Sequence, residues 1–61
     1  MELTRSLIDW LDAHEFNSFD LGDIDYISDK IDNYFENIDE EITIHDSISL
    51  AEQYSLLKLN N

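Results

Sequence analysis

The apolar positions of the chain fall into rows with helical spacing. Leu3, Leu7, Ile8 and Leu11 step by four, one and three, which predicts a helix over about residues 3–14, with Trp10 toward its flank and Asp9 and Asp12 facing away. The row then breaks at Glu15-Phe16-Asn17-Ser18-Phe19-Asp20, a stretch that reads as a loop from which Phe16 and Phe19 could plug the core. The clearest row follows: Ile24, Ile27, Ile31, Tyr34, Phe35 and Ile38 step by three, four, three, one and three, the mark of an amphipathic helix. Ser18 or Asp20 offers a cap for its start, and Gly22 weakens its first turn unless the helix begins just after it.

The last third is ambiguous. Glu41-Ile42-Thr43-Ile44-His45 alternates and is rich in β-branched residues, as a short strand would be. Ser49-Leu50-Ala51-Glu52 fits a capping box, and Asp46 or Ser47 would serve equally well as a cap. Leu50, Tyr54 and Leu57 then share a helical face to about residue 58, with Leu56 and Leu59 partly off it. The predicted fold is all-α: one small acidic domain over residues 1–61, built from three helices. The alternative is an α+β domain with a short strand near residues 41–45.

Composition changes the picture in two ways. Nineteen of the 61 residues are Leu, Ile or Phe, a share above the ~20% below which acidic chains are usually disordered, so a folded domain is expected. A domain this small buries only about 60% of its unfolded surface, and there is no cysteine to staple it. A helical bundle or a homodimer is the natural remedy, and Leu50, Tyr54 and Leu57 are the candidate oligomer interface. No apolar run approaches the ~20 residues of a membrane span, and Met1-Glu2-Leu3-Thr4-Arg5 does not start a signal peptide.

Charge is the second change. Fifteen acids against three bases give a formal net charge of −12. Twelve of those acids lie between Asp9 and Glu41, where Lys30 is the only base, and the C-terminal third is nearly neutral. Direct binding to DNA or RNA is not expected on this balance, because phosphate contacts need Lys and Arg. On the second predicted helix Asp25, Asp29, Asp32 and Glu36 fall within about 60° of one another at 100° per residue. Neighbours in that row are ~5–6 Å apart along the axis, a spacing broadly like that of phosphates along one nucleic-acid strand. Asp9, Asp12, Asp39, Glu40 and Glu41 are placed to extend or flank the row. Tyr26 sits between the acidic and apolar faces and is the best-placed aromatic anchor.

A solvated outer face would also be acidic in a small soluble protein, but solubility is usually served by interspersed signs, and Lys30 alone interrupts this one, from the opposite flank. The choice of nine Asp against six Glu runs against helix propensity and holds charge close to the backbone.

No catalytic chemistry is legible. His14 and His45 are the only histidines and belong to no nucleophile or acid–base motif; His14 suits the end of the first helix and His45 the flank of the third. Asp20-Leu21-Gly22-Asp23-Ile24-Asp25 lacks the ligand spacing of a calcium loop. The chain is therefore expected to be no enzyme, with no cofactor and no dedicated metal site.

In size, acidity and lack of a catalytic motif, with the charge concentrated over residues 9–41, the chain resembles the small phage-encoded inhibitors of bacterial defence, the anti-CRISPR and DNA-mimic proteins. That resemblance implies a non-enzymatic inhibitor that acts in the cytoplasm of a bacterial host. It would occupy the basic groove of a defence nuclease, such as a CRISPR effector, or of another nucleic-acid-binding protein, often as a dimer. On the charge pattern of the second predicted helix, and not on any family motif, the partner-binding residues would be Asp25, Asp29, Asp32, Glu36, Asp39, Glu40 and Tyr26. The competing expectation is an antitoxin-like or adaptor module that binds through the apolar helix of Leu50, Tyr54, Leu57 and Leu59, with the acids serving solubility.

Overall fold

The computed structural model describes residues 1–60. Among them are four helices and no strand: α1 (Arg5–Asp12), α2 (Ser18–Gly22), α3 (Ile24–Asn37) and α4 (Ile44–Leu59). The all-α expectation is met, with one helix more than the apolar rows indicated.

Each helix starts on a side chain that accepts a backbone N–H left over by the first turn. Thr4 accepts from Leu7 and opens α1. Asn17 accepts from Asp20 N–H at 2.8 Å while the Asp20 carboxylate accepts from Asn17 N–H at 3.2 Å, a reciprocal box that creates α2 inside the stretch read as a loop. Asp23 caps α3, so Ser18 and Asp20 belong to α2 instead, and Gly22 closes α2 ahead of α3. Thr43 accepts from Asp46 N–H at 3.1 Å and starts α4 at Ile44. That bond turns the 41–45 alternation into a helix start rather than a strand. Ser49 and Glu52 consequently lie inside the helix, and exposed His45 sits in its first turn.

The core is the meeting of three helices. Leu7 and Leu11 from α1, Ile27 and Ile31 from α3, and Leu50, Ala51 and Tyr54 from α4 are buried. Leu3, Ile8, Trp10, Phe16, Leu21, Ile24, Tyr34, Phe35 and Ile42 pack around them, half-buried. Phe16 plugs the core as anticipated, but Phe19 does not: it is 90% exposed on the outside of α2. The α2 turn carries Leu21, not Phe19, inward.

α3 and α4 approach each other through small residues. Ser47 is fully buried, and its hydroxyl donates to the Ser28 carbonyl at 3.0 Å while the two hydroxyls are 2.9 Å apart. With the Ser47 proton committed to the carbonyl, Ser28 donates to Ser47. Ser55 donates to the Leu21 carbonyl and ties α4 to α2. These bonds leave no buried side-chain polar atom unpartnered among the described residues, which is what lets small hydroxyls replace aliphatic bulk where two helices meet.

The inward face of α4 is thus Ser47, Leu50, Ala51, Tyr54 and Ser55. Leu50 and Tyr54 were expected at an oligomer interface. Both are spent on the chain's own core, at 0% and 2% exposure. The apolar side chains that α4 leaves at the surface are Ile44, Leu56, Leu57 and Leu59.

Candidate functional site

α3 presents two faces, and the apolar one fixes the other. Burying Ile27, Ser28 and Ile31 against α1 and α4 turns Asp25, Asp29, Asp32 and Glu36 to solvent, and all four are exposed. No side-chain hydrogen bond or ion pair engages any of the four carboxylates among the described residues.

The bases are committed elsewhere. Arg5 Nε lies 3.3 Å from Asp9 on the exposed side of α1. Lys58 Nζ lies 2.8 Å from Asp12 Oδ1. Lys30 rests over the Tyr26 ring, 5.1 Å from its centroid. Of the acids proposed to flank the row, Asp9 and Asp12 are therefore paired, on a different helix, while Glu41 is exposed.

Beyond Asn37 the chain makes a tight left-handed turn. Asp39 has φ 58°, Glu40 N–H reaches back to the Phe35 carbonyl at 2.9 Å and Asp39 N–H to Glu36 at 3.1 Å. This pair of bonds closes a helix end and usually employs Gly at the left-handed position. Here the position is held by an acid, and Asp39, Glu40 and Glu41 follow Glu36 at the negative end of the helix dipole. An anion there is unfavourable. The last turn of α3 contains no base.

Tyr26 is 40% exposed, at the flank anticipated for it. Its ring is edge-on to Phe16 at 5.8 Å beneath the Lys30 ammonium. The same aromatic seam runs through Phe16 to His14, stacked at 5.4 Å, and on to Trp10, edge-on to His14 at 4.4 Å and to Tyr34 at 5.5 Å. The Trp10 carbonyl lies 3.0 Å from His14 Nδ1 and takes the proton on that nitrogen, so the imidazole closes the exposed end of α1.

One cluster was not anticipated. Asp12 Oδ1 accepts from Tyr54 Oη at 2.7 Å as well as from Lys58, joining the end of α1 to α4. The bonds from Lys58 and then Tyr54 hold the Asp12 carboxyl below its usual value of 3.8. Burial, together with the bond to Asp12, raises the Tyr54 phenol. The long sequence separation hides such a contact from periodicity, which ranks Asp12 only as outward-facing. The shared carboxylate ties the end of α1 to α4 through two partners on one face of α4.

Among the described residues no three His, Asp or Glu side chains converge to hold a metal ion, and no helix is long and apolar enough to cross a membrane. No protein-family profile matches the chain, and neither a curated protein nor a solved structure matches it.

Proposed function

We propose that the chain is a non-enzymatic inhibitor that places the acidic face of α3 in the basic nucleic-acid-binding groove of another protein, a defence nuclease in a bacterial host being the target class. The observation that carries this reading is the unpaired row of Asp25, Asp29, Asp32 and Glu36, prolonged by Asp39 and Glu40 across the end of the helix. The row acts against the stability of its own helix through mutual repulsion, and Glu36, Asp39 and Glu40 do so also through their place at its negative end. Local rules broken without a compensating contact inside the fold are expected where function sets the sequence. A basic groove would supply the missing counter-charge, steer association and make it salt-sensitive.

The test is capture from bacterial lysate with the wild-type chain and with a variant carrying Asp25→Asn, Asp29→Asn, Asp32→Asn and Glu36→Gln. Recovery of a nucleic-acid-binding protein by the wild type alone, with release by salt and by duplex DNA, supports the reading. Equal recovery by both chains refutes it.

The adaptor reading keeps one specific support. Leu56 and Leu59 are 61% and 54% exposed on α4. In that case Leu56→Asp abolishes capture while the row variant leaves it intact.

A further inference from the structure

The row does not end in open solvent. The left-handed turn at Asp39 folds the chain back, so that a shallow groove forms between the last turns of α3 and the start of α4. Asp32, Glu36 and Glu40 line it together with Ile42 and Ile44. Ile42 is half-buried and packs against the core. Ile44 is 76% exposed, and the Thr43 cap holds it at the first position of α4. Ile44 is not among the apolar side chains packed on the core, and the three carboxylates beside it have no ion pair among the described residues.

We propose that this groove docks a basic amphipathic helix of a protein partner, with Lys or Arg against Asp32, Glu36 and Glu40 and an aliphatic side chain against Ile42 and Ile44. Charge complementarity selects the occupant. A nucleic acid is repelled by the acids. A second copy of a chain with net charge −12 brings more of the same charge. A purely cationic segment satisfies the carboxylates but leaves Ile44 wet. A helix with cations on one flank and aliphatic residues on the other covers both. This inference rests on the proposed binding role of the α3 face and specifies the element of the partner that meets its C-terminal half.

The experiment is an NMR titration of the isotope-labelled full chain with two synthetic helical peptides of equal charge, one built of Lys and Leu and one with every Leu replaced by Ala. At about 150 mM salt, where exposed charges are largely screened beyond ~8 Å, the Lys/Leu peptide binds about tenfold more tightly. Its shifts centre on Glu36, Glu40, Ile42 and Ile44. Ile44→Ser, at an exposed site, retains the wild-type circular dichroism and reduces the affinity for the Lys/Leu peptide to that for the Lys/Ala peptide. Equal affinity of the two peptides, shifts centred on Leu56 and Leu59, or indifference to Ile44→Ser overturns the groove proposal while leaving the acidic face as a cation-binding surface. Failure of both peptides to bind even at low salt overturns the proposal and the reading of the face together.

Discussion

If the α3 acids serve a partner rather than the fold, removing their charge stabilises the free protein. The variant is Asp25→Asn, Asp29→Asn, Asp32→Asn and Glu36→Gln. Along the row the neighbours are Asp25 with Asp29, Asp29 with Asp32, and Asp32 with Glu36, all exposed. Each like-charge pair at these spacings costs a helix roughly 0.2–0.5 kcal/mol, so relief of the row is worth about 1 kcal/mol. The dipole terms nearly cancel: Asp25 in the first turn loses a favourable interaction while Glu36 in the last turn sheds an unfavourable one, each of about 0.3–1 kcal/mol. For a domain of this size a net gain of about 1 kcal/mol raises the Tm by roughly 4–8 °C. The assay is thermal unfolding followed by circular dichroism at low salt and at about 1 M salt. There the Debye length is near 3 Å and the gain should disappear. A variant no more stable than wild type at low salt, or a gain that survives high salt, refutes the claim that these charges strain the fold.

Other predictions follow from particular contacts. Asp12→Ala removes the acceptor shared by Tyr54 and Lys58 and costs about 1 kcal/mol, discounted because the Asp12 side chain is 40% exposed. The folded pKa of Asp12 is depressed, so this contribution is present above the unfolded value of 3.8 and is lost as pH falls through the folded value. Urea titrations at about pH 6, above the ordinary carboxylate range, should separate wild type from Asp12→Ala, and the separation should narrow as the pH is lowered through the folded value. Tyr54 shifts the other way: its raised phenol contributes stability below the unfolded value of 10.0 that is lost as pH rises beyond it, and Tyr54→Phe should lack this alkaline loss. Asp39→Gly relieves the left-handed position and removes an anion from the helix end, a gain of about 1 kcal/mol readable by urea unfolding. Ser47→Leu forces α3 and α4 apart at a fully buried contact and breaks its bonds to Ser28, a loss of about 2–3 kcal/mol readable in the same titration.

How far the sequence announces this structure depends on which kind of residue carries the information. α3 is legible because large aliphatic side chains mark its inner face at Ile24, Ile27 and Ile31, and the acidic outer face follows from that row by geometry. α2 is hidden because its box uses Asn17 and Asp20, residues that read equally well as loop formers. The start of α4 is hidden by the β-branched run at Ile42, Thr43 and Ile44, where one bond from Asp46 N–H to the Thr43 hydroxyl outweighs local propensity. The inner face of α4 misleads most. Ser47 and Ser55 look like surface residues, yet close packing of helices favours small side chains whose hydroxyls find partners across the contact. With these serines turned inward, Leu56 and Leu59 remain outside, and Leu50 and Tyr54 lie in the core of the chain itself. On the candidate site, the positions of Asp25, Asp29, Asp32, Glu36 and Tyr26 follow from the α3 wheel. The groove at Ile42 and Ile44 does not, since it depends on the left-handed turn at Asp39.

The most direct test of the central claim is competition for a nucleic-acid-binding protein recovered with the wild-type chain. Its affinity for the chain is measured across a salt series with and without duplex DNA, for wild type and the row variant. Mutually exclusive binding of chain and DNA, an affinity that falls steeply with salt, and loss of binding in the variant are the predicted results. A ternary complex with DNA, or an affinity indifferent to salt and to the four substitutions, would contradict the assignment of the α3 face as the binding surface.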